Sequence, residues 1–198
     1  MDNETTFRAL FILASIGMIA VRVYYQSKVL RDKRKVEINE DSLSLITGSV
    51  AALTSIVFGA EYIFFAGAFS FAYALSYPVW IRWLGGLVLV GGVALMGIAH
   101  RHLGKSFHSL MVSKEEHTLV ESGPYQWIRH PIYTAYLMAY VGGGLLSSNW
   151  VLTVVPVTMY AILVGRRMGK EEKMMEELFG EKYVAYEKRT GRLVPRIK

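Results

Sequence analysis

The sequence predicts an all-α integral membrane protein of about five transmembrane helices, in a single membrane domain over residues 1–198. Three observations carry this. Residues of hydrophobic type make up 53% of the chain and fall in long blocks rather than at the period of a soluble helix or strand. Lys and Arg gather in alternate connections between the blocks. The last two blocks are separated only by "SSN", so they form a tight antiparallel helical hairpin. The chain has no cysteine, which excludes disulfides, thiolate metal sites and a cysteine nucleophile.

The first block is "FRALFILASIGMIAVRVYY", residues 7–25; it is long and lacks a basic leader and a small-residue cleavage site, so it reads as a retained anchor. The second starts at Leu43 with "LSLITGSVAALTSIVFGA" and ends either there or past Glu61, in "YIFFAGAF". The aromatic-rich stretch 61–80 reads as an outer hairpin or an interfacial segment, since aromatics suit the headgroup zone. The third block is "WLGGLVLVGGVALMGIA", 83–99, and the hairpin blocks are 132–146 and 150–165. Glycines 91, 92 and 142–144 permit close helix packing.

Of the 22 Lys and Arg residues, five lie in 26–41, four in 100–131 and ten in 166–198, whereas 61–81 and 147–149 hold none. The positive-inside rule then expects an N-terminus outside and a C-terminus in the cytoplasm. The membrane would be a plasma membrane in a prokaryote or the endoplasmic reticulum in a eukaryote. The net charge of +6 follows from this topology and from attraction to anionic headgroups, with no module that would bind nucleic acid.

Polar chemistry gathers in two clusters on the expected cytoplasmic side. All five histidines lie between 100 and 130. "HRH" with no carboxylate nearby is a poor ligand set, so no metal site is expected. "HTLV" reads as a short extended stretch with free backbone groups, "ESGPY" as a turn, and Pro131 as the first residue of the fourth helix. Arg129 and His130 then flank the positive end of that helix, which favours an anion or carboxylate there. After the fifth block come Arg166, Arg167, Glu171 and Glu172. Arg167 and Glu171 share a helix face, but Arg before Glu is the weaker order for an intrahelical pair. Met174, Met175, Leu178 and Phe179 form an apolar stripe, Gly180 ends the helix, and Tyr183, Tyr186 and "TGRLVPRI" read as a non-repetitive tail that folds back.

"HTLVESGPYQWIRHPIY" followed by "RMGKEEKMMEELFGEKYVAYEKRTGRLVP" resembles the isoprenylcysteine carboxyl methyltransferase family and its relatives, the phospholipid N-methyltransferases. The resemblance covers 100–198, the expected catalytic region, while 1–99 supplies a compatible set of three helices; the span count fits the smaller prokaryotic members. It implies an S-adenosylmethionine-dependent methyltransferase, with S-adenosylhomocysteine as product and a lipophilic acceptor arriving from the bilayer. That acceptor would be the carboxylate of a prenylated cysteine or a similar isoprenoid or lipid. It implies a cofactor site at His117, Thr118, Leu119, Val120, Tyr125, His130, Pro131, Ile132, Tyr133 and Glu171. Arg167 would lie towards the acceptor, with Arg129 as a second substrate-facing cation, and Arg167 and Glu171 would carry the catalytic roles. Phe107 stands where relatives often have tryptophan. A sterol-type NADPH-dependent membrane reductase is the alternative, since some carry an element like "RHPIY". The acidic pair Glu171–Glu172 would repel that cofactor's phosphates.

Overall fold

The computed structural model describes residues 3–31, 42–104 and 118–196. These form α1 (Asn3–Arg31), α2 (Ser42–Phe64), α3 (Val79–Leu103), α4 (Pro131–Ser147), α5 (Trp150–Phe179) and α6 (Glu181–Arg189). Two 3-10 turns lie at Ser70–Tyr73 and Gly123–Gln126. Among the described residues there is no strand, only a single parallel bridge between Ile128 and Gly191.

Helices α1, α2, α3 and α5 are long and apolar enough to cross a membrane, and the chain is an all-α integral membrane protein. The remaining expected span is α4, whose 17 residues reach about 26 Å against a hydrocarbon core of about 30 Å. Its position resolves the mismatch. Every residue of α4 is buried or half-buried, because α1, α3 and α5 surround it. The lipid-facing work falls to the other helices, which expose Leu13, Ile16 and Ile19 on α1, Leu53 and Ile56 on α2, Leu87 and Ile98 on α3 and Val154 on α5.

The tightest packing is between α3 and α4. A Cβ on Gly142 would stand 2.4 Å from the Leu89 amide nitrogen and 2.7 Å from the Gly85 carbonyl oxygen. The two backbones therefore touch directly, as small residues allow where lipid offers no hydrophobic drive between helices. Phe7, Phe11, Tyr62, Leu89, Leu146 and Leu152 fill the adjoining core. The α4–α5 connection is the expected tight turn: Ser148 adopts φ 57°, and the Asn149 side chain caps α5 by accepting from the Leu152 amide at 3.0 Å.

Two segments are more definite than the sequence reading. Of the two alternatives for residues 61–81, the structure has no helical hairpin. Helix α2 runs past Glu61 to Phe64, and a compact turn follows, built on the buried carboxylate of Glu61. Glu61 accepts from the Gly67 amide at 2.8 Å, the Phe69 amide at 3.3 Å and the Tyr73 hydroxyl at 2.5 Å. Phe64, Phe65, Trp80 and Trp83 remain exposed around it, the placement expected of a membrane-interface belt. The stretch after Gly180 is also partly regular. Tyr183 and Tyr186, three apart, form the buried face of α6, with Glu181 in its first turn and Lys188 and Arg189 in its last.

Helix α5 is continuous for 30 residues, about 45 Å, so its last third stands outside the hydrocarbon and projects charged residues beside the mouth of α4.

Gly142→Val is expected to lower the thermal unfolding midpoint in detergent sharply, since overpacking alone costs about 1–3 kcal/mol and the clash here is with backbone. Gly169→Ala, whose added Cβ meets nothing within 4 Å, should leave the midpoint unchanged or raise it slightly. Equal behaviour of the two variants would show that α3 and α4 do not touch through their backbones.

Candidate active site

The polar clusters meet at one end of the bundle, around the N-terminus of α4. His130 is its N-cap and Pro131 its first residue, so the chain enters the helix without a missing hydrogen bond. The segment before it is fastened to the tail by backbone pairing. Arg129 N–H donates to the Gly191 carbonyl at 2.8 Å, His130 N–H to Arg192 at 3.0 Å, and Gly191 N–H back to Trp127 at 3.0 Å. A side chain on Gly191 would lie 1.8 Å from the Val194 carbonyl oxygen, which explains glycine in "TGRLVP". Thr134 Oγ1 donates to the Leu193 carbonyl at 2.7 Å, and the Tyr186 hydroxyl donates to the Tyr125 carbonyl at 2.6 Å.

At the centre lies Glu172, its side chain only 4% exposed. Its Oε1 accepts from Arg129 Nε at 3.0 Å and from Arg192 Nε at 3.2 Å, and Arg192 Nη2 is 2.7 Å from Oε2. Arg129 is as deeply placed, at 6% exposed, and its other nitrogens are engaged too. Nη1 donates to the carbonyls of Glu187 and Thr190 at 3.0 and 2.7 Å, and Nη2 to Glu187 Oε1 at 3.1 Å. The expected substrate-facing role of Arg129 does not suit this geometry, because all three nitrogens are engaged by Glu172 of α5 and by Glu187 and Thr190 at the end of α6.

Glu171 faces the other way, at 35% exposed. The Tyr133 hydroxyl donates to its Oε1 at 2.5 Å, and Arg167 Nε lies 3.8 Å from the same oxygen. His130 stands between the two carboxylates, with Nδ1 3.6 Å from Glu171 Oε2 and Nε2 3.4 Å from Glu172 Oε1, and its ring stacks on Tyr133 at 5.4 Å between centroids. Thus the structure brings together His130, Tyr133, Arg167 and Glu171 from the expected set. Pro131 is fully buried beneath them and Ile132 half-buried. Tyr125 is buried in the turn above. Leu119 turns its side chain into a cluster with Met175, Phe179, Tyr183 and Tyr186, so Thr118, Leu119 and Val120 lie against the foot of α5 and α6. His117 lies outside the described residues.

Sequence reading missed Arg192, Glu187 and Thr190 as partners of Arg129, and gave Glu172 no role apart from Glu171. The available signal was charge: the arginine of "WIRHP" needs carboxylates once buried.

Burial holds the His130 imidazole below its ordinary 6.5, Arg129 acting the same way, against the pull of Glu171 and Glu172. For Glu172 burial pushes upward, but the hydrogen bonds and charges of Arg129 and Arg192 outweigh it and keep the carboxyl below 4.5. What the cluster offers chemically is a half-exposed carboxylate backed by a tyrosine and an imidazole face, with a guanidinium at its edge. Such a set suits a cationic ligand next to an anionic one.

A membrane-embedded helical bundle with a carboxylate–tyrosine–histidine site at the mouth of its central helix is the class that fold and site define. The sequence model of the isoprenylcysteine carboxyl methyltransferase (ICMT) family matches residues 83–177. Protein-S-isoprenylcysteine O-methyltransferase B of Arabidopsis thaliana is 31% identical over 196 residues, covering 98% of this chain and 96% of that protein. The Rattus norvegicus protein-S-isoprenylcysteine O-methyltransferase is 34% identical over 157 residues, 76% of this chain. This chain spans 51% of the rat protein's length. The solved structure of a eukaryotic intramembrane Ras methyltransferase, ICMT, shares the fold at a TM-score of 0.62 and 23% identity, over 95% of this chain and 68% of that one. The chain belongs to the isoprenylcysteine carboxyl methyltransferase family.

Removing charge from one side of a buried ion pair costs about 3–5 kcal/mol. Glu172→Gln is therefore expected to loosen the tail, read as faster tryptic cleavage after Arg192. Unchanged cleavage would contradict the clamp.

Stability should also fall on acidification. The unfolded chain binds more protons than the folded one at both His130 and Glu172, so unfolding free energy rises with pH. The His130 contribution erodes first, as pH drops below 6.5 towards its depressed folded value. That of Glu172 is lost below 4.5. Thermal midpoints between pH 7 and 5.5 should decline in the parent and stay flatter in His130→Gln.

Proposed function

We propose that this chain is an S-adenosylmethionine-dependent membrane methyltransferase that esterifies the carboxylate of a lipophilic acceptor, a prenylated cysteine or a similar isoprenoid or lipid. The observation that carries the reading is the half-exposed Glu171 carboxylate, held by the Tyr133 hydroxyl and flanked by His130 and Arg167.

The donor set fits a sulfonium cofactor. Glu171 balances a positive charge, the aromatic faces of Tyr133 and His130 attract it, and the loop through Thr118, Leu119, Val120 and Tyr125 closes over the side away from the bilayer. When bound, that cofactor supplies an electrophilic methyl group, which the acceptor's carboxylate oxygen takes as the carbon–sulfur bond breaks. The chain's own residues align and shield. Tyr133 fixes the Glu171 rotamer through its hydrogen bond. Arg167 orients the acceptor carboxylate. The Glu172 cluster, with Arg129 as a positioning residue, keeps His130 and the start of α4 in place. An acceptor carboxylate is already ionised at neutral pH, so the site needs no general base and acts by alignment and exclusion of water. On this reading the site faces the cytoplasm, as the distribution of Lys and Arg favours, and the cofactor arrives from water while the acceptor arrives from lipid.

Calorimetry with S-adenosylhomocysteine on the detergent-purified protein tests this. The parent should bind saturably, and Glu171→Ala should weaken binding by about tenfold to a hundredfold, the size of one charge-assisted contact. Tyr133→Phe should weaken it less. Absence of binding by a folded parent that instead binds NADPH would overturn the reading.

A further inference from the structure

We infer that Arg22, on α1, is a docking point for the anionic group of the lipophilic acceptor, set in the flank of the bundle, separate from the aqueous-side Arg167. This rests on the methyltransferase reading above. Arg22 is the one charged residue between Arg8 and Lys28, inside the first apolar block. A cation at that position is costly in a bilayer and marks function unless its charge is met. Arg8, Arg82, Arg129, Arg167, Arg189 and Arg192 each face a carboxylate. Arg22 faces none among the described residues. It donates from Nη1 to the Tyr136 hydroxyl and lies 5.7 Å from the centre of the same ring.

Arg22 lies six residues, about 9 Å, inside the end of the span Asn3–Lys28, and its partner Tyr136 lies five residues, about 7.5 Å, inside the start of α4. The side chain is aimed by its neighbour as well. Tyr25, three residues on and on the same face of α1, stacks on His100 of α3 at 4.7 Å and 14°. That contact fixes the rotation of α1 against the bundle.

Tyr136 leads directly to the candidate active site. Its ring is 5.4 Å from that of Tyr160, which is 6.3 Å from that of Tyr133, whose hydroxyl holds Glu171. Tyr140 lines the same path, 5.3 Å from Tyr160. An exposed guanidinium on the flank, followed by a run of tyrosines ending at the site, fits a molecule with an acid head and a long apolar tail. The head meets Arg22 by charge-assisted hydrogen bonds while the tail stays in lipid. A protonated amine head would be repelled. Arg22 therefore selects acids over amines.

The test uses S-farnesylcysteine with its amine acetylated, beside the same molecule with a carboxamide in place of the carboxylate. Binding of each to the full-length protein is measured by ligand-induced thermal shift titration, which needs no turnover. The parent should prefer the acid by tenfold or more, and Arg22→Gln should cut that preference at least threefold, the remainder resting on Arg167. Arg22→Lys should lose less of it. S-adenosylhomocysteine binding by Arg22→Gln should match the parent within about threefold, which shows the variant folded and keeps this result separate from the cofactor reading. A parent that does not discriminate acid from amide overturns the inference. So does an Arg22→Gln variant that discriminates as well as the parent, or one that loses S-adenosylhomocysteine binding.

Discussion

The charge on Glu172 is the constraint to which the rest of the site end answers. A carboxylate withdrawn from water costs several kcal/mol unless it is paired and hydrogen-bonded, and here two guanidiniums meet it from different parts of the chain. Arg129 comes from the segment before α4, Arg192 from the tail beyond α6, and Glu172 itself from the projecting end of α5. Glu187 adds a second anion to Arg129, so two cations and two anions close on one another without net charge. Three segments distant in sequence are thereby held in one geometry, and the imidazole of His130 is trapped between Glu172 and Glu171. Neighbouring residues on α5 thus differ: Glu172 is buried and structural, and Glu171 is half-exposed beside Tyr133 and Arg167.

The membrane part of the molecule solves a separate problem. Helix α4 is too short to be a comfortable lipid-facing span, yet it must present the start of its first turn at the site. Surrounding it with α1, α3 and α5 removes the need to match the bilayer. Direct backbone contact at Gly85 and Gly142 sets its depth against α3. At the opposite end Glu61 organises the α2–α3 turn by accepting two amides and a hydroxyl, the same use of a buried carboxylate with no partner cation among the described residues.

Much of this was legible in the sequence, and the reasons differ by region. The spans show because a bilayer demands long apolar blocks, and the α4–α5 hairpin because three residues cannot connect anything looser. Glu171, Tyr133 and His130 can be singled out because the motifs that hold them resemble those of a known family. Arg129 was ambiguous because an arginine beside a helix N-terminus looks the same whether its partner is a ligand or the protein's own Glu172 and Glu187. Only the fold of the tail decides. Tyr183 and Tyr186 hid a helix too short for a periodic signal.

The backbone pairing of Trp127, Arg129 and His130 with Gly191 and Arg192 has a consequence for biosynthesis. The two partners are about sixty residues apart, as the 61-residue separation of Arg129 and Thr190 shows, and the whole α4–α5 hairpin lies between them. Synthesis runs from the N-terminus, so both helices of the hairpin are made before the residues that brace its mouth. Until those residues leave the ribosome, Glu172 lacks its partner Arg192 and Arg129 lacks the strand-like pairing at Gly191. The site is in this way the last part of the chain to assemble.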